Sequence, residues 1–136
     1  MKFLFDHNIS VRLARMIDAY DSPNEVRHLS QDERFARGVP DAVLLETIRH
    51  DTPRPVLVTR DVAMRTTPDE RKALASSGLT VVFLRFRNLD FHTQAVRLLK
   101  LWPEIVREAE GAKEPTAFEV TAGARKVQRL RPTAEL

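Results

Sequence analysis

The amino-acid sequence predicts an α/β protein, a three-layer α/β/α sandwich around a mainly parallel sheet. Strand-like and helix-like segments alternate along the whole chain, the pattern of successive βαβ units. Two apolar runs, Phe3-Leu4-Phe5 and Val56-Leu57-Val58-Thr59, read as buried strands. Each leads directly into an acid, Asp6 and Asp61, at the strand end where open α/β sheets place their binding crevice.

Taken in order, Lys2 to Phe5 is the first strand. Asn8 or Ser10 caps a helix whose apolar face uses Ile9, Leu13, Met16 or Ile17, and Tyr20 at helical spacing. Residues 21–25, DSPNE, are turn chemistry, and Val26 to Leu29 forms a short second strand. Residues 30–38 are polar and irregular. Pro40 suits the first turn of a helix from about Asp41 to His50, with Val43, Leu44 and Ile48 turned inward. After the strand Val56 to Thr59, Thr67-Pro68-Asp69-Glu70 starts a helix with Thr67 as cap and Glu70 closing a capping box. Gly78 ends it, and Leu79 to Leu84 is an apolar strand. A helix from about Phe91 carries Val96, Leu99 and Trp102 on one face, and Pro103 kinks or restarts it before Gly111. Phe118 to Val120 and Lys126 to Leu130 are two late strands around a Thr-Ala-Gly-Ala turn.

At 136 residues, with 43% hydrophobic content, the chain fits one domain over residues 1–136. Its core spans about residues 1–110, and residues 112–136 are expected to be a basic strand or tail. No run approaches the roughly 18 apolar residues of a membrane span. The start, MKFLFDHN, reaches an acid too early for a signal peptide. The absence of cysteine excludes disulfides, zinc–thiolate sites and thiol nucleophiles, and is compatible with the cytoplasm. A net charge of +3 and a pI near 9.7 favour a polyanionic partner. The segment Arg125 to Arg131 holds four cations and no acid, which suits either a solvated tail or a nucleic-acid contact.

Asp6, Asp41 and Asp61 carry the functional reading. Carboxylates that converge repel one another and need a cation to remain ionised together, so a hard-metal site is the first expectation. Each residue also has a plain structural role open to it: Asp6 and Asp41 as helix-start acids, Arg85 and Arg87 as a solvated strand edge, Trp102 as core. His7 suits packing or a phosphate contact, while His28, His50 and His92 show no ligand spacing.

Phe5-Asp6-His7-Asn8-Ile9-Ser10 with Leu13-Ala14, then His28-Leu29, Pro40-Asp41, Val58-Thr59-Arg60-Asp61 and Leu101-Trp102-Pro103, together resemble the PIN-domain nucleases, most closely the VapC-type toxins of bacterial toxin–antitoxin pairs. The likeness spans about residues 1–110. It implies a PIN-like parallel sheet and a ribonuclease using Mg²⁺ or Mn²⁺, with Asp6, Asp41 and Asp61 as catalytic and metal-site carboxylates. Thr59 would orient the site, Asn8 would support its first loop, and Arg60, Arg85 and Arg87 would bind substrate. The implied partners are RNA and a cognate antitoxin protein, and such toxins commonly form homodimers. Many relatives place a further acid just after the third station, where this chain has Asp61-Val62-Ala63-Met64. Asp69 or Glu70 could replace it, although both also suit the helix dipole. Two other functions fit the acids less well: a PIN-like RNA- or protein-binding module without turnover, and a receiver-like phosphoacceptor. Receivers usually carry an adjacent acid pair after the first strand, whereas His7-Asn8 follows Asp6 here.

Overall fold

The structure is a computed structural model that describes residues 1–21, 23–86, 88–121, 123 and 126–136. Its strands are β1 (Lys2–Phe5), β2 (Glu25–His28), β3 (Val56–Thr59), β4 (Val81–Arg85), β5 (Thr116–Thr121) and β6 (Gln128–Pro132). The helices are α1 (Val11–Tyr20), α2 (Asp41–Ile48), α3 (Ala63–Thr66), α4 (Pro68–Ser77) and α5 (Phe91–Gly111), with 3₁₀ turns at Leu29–Gln31 and Thr133–Glu135. The sheet order is β2-β1-β3-β4-β5-β6. β1 to β5 run parallel, and β6 returns antiparallel on the edge of β5.

Both faces of this sheet are covered, so its central strands are apolar throughout. Phe3, Phe5, Val58, Val82, Leu84 and Phe118 face α1 and α5, while Leu4, Leu57, Val81, Phe83 and Ala117 face α2, α3 and α4. Trp102 anchors the first layer. Its ring lies 4.7 Å from that of Phe3 in an edge-on arrangement, and its indole N–H donates to Asp21 Oδ2 at 2.7 Å. Each such side chain removed from water contributes about 2 kcal/mol.

Caps and helix faces follow local chemistry with a few instructive departures. Ser10 caps α1, its hydroxyl accepting from the Arg12 N–H at 3.2 Å. Gly78 closes α4 at φ 68°, a left-handed turn that glycine adopts without strain. Three residues expected inward lie outward: Tyr20 is 57% exposed, Val43 52% and Val96 39%. Their neighbours Ile17, Leu44 with Leu45, and Ala95 with Leu98 take the buried stripe instead. In each case several apolar faces compete, and the sheet chooses the one it can cover. α5 runs through Pro103 without restarting. The ring sits on the exposed side, and Leu98, Leu101, Trp102 and Ile105 pack on both sides of it.

The capping box at Thr67 does not form. The Thr67 N–H already donates to Ala63 O at 2.9 Å, because the short helix α3, which lacks a sequence cue, ends there. No side-chain bond caps α4, and Glu70 is left to do something else.

Chain direction positions the site. β1 leaves the sheet toward β2, and β3 leaves toward β4, so the connections diverge between the carboxyl ends of β1 and β3. That divergence opens the crevice in which doubly wound sheets bind ligands.

Candidate active site

Asp6 and Asp61 stand on the two sides of this divergence, directly after β1 and two residues after β3. One hydroxyl ties them together. Thr59, fully buried at the end of β3, donates to Asp6 Oδ2 at 2.8 Å. Thr59 Oγ1 in turn accepts from the Asp61 N–H at 3.0 Å and from Asn8 Nδ2 at 3.2 Å. A threonine hydroxyl has one donor and two acceptor positions, and all three are used. Asn8 extends the clamp through its own Oδ1, which accepts from the Arg60 N–H at 3.0 Å. The β1–α1 and β3–α3 loops are therefore locked by side chains that are 51 residues apart.

Asp6 is 8% exposed and heavily engaged, its Oδ1 accepting from the His7 N–H at 2.7 Å. Asp61 Oδ1 accepts from the Ala63 N–H at 3.0 Å, which fixes its carboxylate at the start of α3. Asp41 reaches the same place from the first turn of α2. Glu70, from the first turn of α4, completes the group: one carboxylate oxygen each from Asp41, Asp61 and Glu70 lies within 4.8 Å of the others. Glu70 Oε2 is buried without a hydrogen-bond partner. Asp69, beside it in sequence, is exposed. Glu70, and not Asp69, therefore stands with Asp41 and Asp61, while Asp6 is not one of the trio.

The electrostatics register this crowding. The Asp41 carboxyl is pushed up to about 7, first by burial, then by the charge of Asp61 and hydrogen bonding to it, then by the charges of Asp6 and Glu70. Three oxygen donors, a carboxyl unwilling to ionise beside its neighbours and an orphaned buried oxygen suit a hard divalent cation, which prefers carboxylate oxygen.

A family model for the PIN-like domain matches residues 1–85. The chain belongs to the PIN-like domain family. No curated protein and no solved structure matches it. The β2-β1-β3-β4-β5 order alone did not decide between families, since flavodoxin-like folds share it.

The cations around this PIN-like site are less free than their sequence positions suggest. Arg60 spans the sheet edge, its Nη2 donating to Phe86 O at 2.9 Å. Arg85 Nη1 lies 3.7 Å from Glu119 Oε2, with Arg65 Nη2 at 2.7 Å from the same oxygen. Arg87 lies outside the described residues. His28 has a structural role: its Nδ1 accepts from the Ser30 N–H at 3.0 Å, so Nε2 carries the proton that it donates to Ile9 O at 2.7 Å. Burial lowers its pKa, consistent with a neutral ring. His7 packs edge-on against it at 5.8 Å. Sequence reasoning weighed Glu70 but favoured its helix-dipole role, and it missed Glu119, a buried acid on a strand whose neighbours are apolar.

Proposed function

We propose that this PIN-like chain is a divalent-metal-dependent endoribonuclease, acting in the cytoplasm as the toxin of a type II toxin–antitoxin pair. The observation that carries the reading is the convergence of Asp41, Asp61 and Glu70 at the sheet's divergence point, with Asp6 buried beside them. Asp41, Asp61 and Glu70 would hold Mg²⁺ or Mn²⁺, and Asp6 adds negative charge behind them. When bound, the ion supplies Lewis acidity, neutralising a phosphodiester and acidifying a water. Thr59 and Asn8 hold the two loops in register, so the carboxylates keep their spacing. Arg60, Arg85 and Arg87 remain the proposed substrate cations, with RNA as substrate and an antitoxin protein as partner. A homodimer is the proposed assembly.

The test is cleavage of single-stranded RNA by purified protein with Mg²⁺, Mn²⁺ or EDTA. Cleavage should require metal, leave 5′-phosphate and 3′-hydroxyl ends, and be lost in Asp61→Asn. A 2′,3′-cyclic phosphate product would exclude the reading, because it demands attack by the ribose hydroxyl. Metal binding without turnover on any RNA would favour a PIN-like binding module.

A further inference from the structure

A second feature of the α2–α4 face is a cavity of about 330 Å³ lined by Arg65, Thr66, Arg71, Leu130, Arg131 and Leu136. Three arginines line it from three elements: Arg65 from α3, Arg71 from α4 and Arg131 from β6. Among the described residues, no Asp or Glu side chain lines it. Another charged cavity, along the β2 edge, sets Lys2, Arg27 and Arg34 against Glu25, Asp32, Glu33 and Asp51, and Arg34 is consumed by Asp32 and Asp51 at 2.8 Å each. An anion gains little there.

We infer that the three-arginine pocket is a phosphate subsite, holding the backbone of a single-stranded RNA next to the phosphodiester at the acid site. The inference rests on the ribonuclease reading of that site and adds the path of its substrate. Position is the first argument. Asp61 lies two residues before α3, and on α4 Arg71 directly follows Glu70, so the helices that line the pocket begin beside two of the three acids.

Charge is the second argument. Buried Glu119 faces two cations, Arg65 at 2.7 Å and Arg85 at 3.7 Å, which leaves the cluster one positive charge in excess. Glu119 and the Phe83 ring, 5.4 Å beneath the guanidinium, hold Arg65 in place, so its remaining N–H donors are pre-organised for an acceptor. Arg71 and Arg131 are exposed and can close on a phosphate. The apolar wall of Leu130 and Leu136 suits a sugar or base face better than a hydrated inorganic ion.

The experiment compares wild type, Arg71→Gln/Arg131→Gln, and Arg15→Gln/Arg107→Gln, which removes the same charge from exposed positions on α1 and α5. Binding of a long fluorescent single-stranded oligoribonucleotide is measured by anisotropy in EDTA across a salt series, so no turnover is involved. The pocket pair should weaken binding about tenfold at low salt and flatten the salt slope by about 0.7 per lost phosphate contact. The control pair should stay near wild type. Equal losses in both pairs, or wild-type affinity in the pocket pair, would overturn the inference. Pocket-dependent binding of an oligoglutamate peptide with RNA binding unaltered would overturn it in favour of an acidic protein segment. Cleavage of a short oligoribonucleotide in Mn²⁺ is scored separately. A pocket pair that binds long RNA like wild type while both cleave sinks the subsite alone. Pocket-dependent RNA binding without any cleavage sinks the ribonuclease reading alone.

Discussion

Replacing Thr59 with valine keeps the shape of a fully buried side chain and removes the one hydroxyl that joins both acid-bearing loops. The bond to Asp6 Oδ2, at 2.8 Å, is charge-assisted and contributes about 1.5–3 kcal/mol. The Asp61 N–H and Asn8 Nδ2 lose an acceptor as well, and both lie near enough to solvent to recover part of that loss through water. The expected destabilisation is therefore about 2–4 kcal/mol, measured by urea denaturation of metal-free protein. Thr59→Ser keeps the oxygen and loses one buried methyl, for about 1 kcal/mol. A double-mutant cycle between Thr59→Val and Asp6→Ala should show coupling of about 1–2 kcal/mol, since each substitution removes the same bond. A loss below about 0.5 kcal/mol in Thr59→Val, or strict additivity in the cycle, would refute the claim that this hydroxyl organises the site.

The acid cluster should make metal-free protein pH-sensitive. Asp41 is held near 7 in the folded chain against 3.8 unfolded, so the folded state binds the extra proton and stability falls as pH rises between those values. The full shift would correspond to about 4 kcal/mol, which solvent screening of this partly exposed group reduces to about 1–2 kcal/mol. Asp41→Asn should flatten the profile and raise stability at pH 8 by the same amount, and an unchanged slope would count against the crowding. Mn²⁺ at a hundredfold excess over its dissociation constant should stabilise wild type by about 2.7 kcal/mol. That gain should vanish in Glu70→Gln and persist in Asp69→Asn, as read by thermal shift. Gly78→Ala should cost about 1 kcal/mol or more, because φ is 68° and an added Cβ would lie 2.8 Å from Arg54 Nη1. Denaturation midpoints matching wild type would contradict that geometry.

What the sequence determined on its own is local. A buried apolar run followed by an acid states both the strand and the position of its carboxylate, and β1 with Asp6 and β3 with Asp61 appear where that pattern placed them. Ser10, Gly78 and the acid at the start of α2 are likewise legible, because caps and turns are chosen by neighbours within a few residues. Tertiary structure decided everything that depends on residues distant in sequence. Helix faces shifted at Tyr20, Val43 and Val96 because an apolar stripe is set by the surface available to cover it. The same long-range order sets Thr59 against Asp6 and pairs Glu119 on β5 with Arg65 on α3. Glu70 shows the difference most plainly. As a letter in a helix start it is an ordinary first-turn acid. Only the turn of α3, which claims the Thr67 N–H, and the packing of α4 beside α2 carry its carboxylate to within 4.8 Å of those of Asp41 and Asp61.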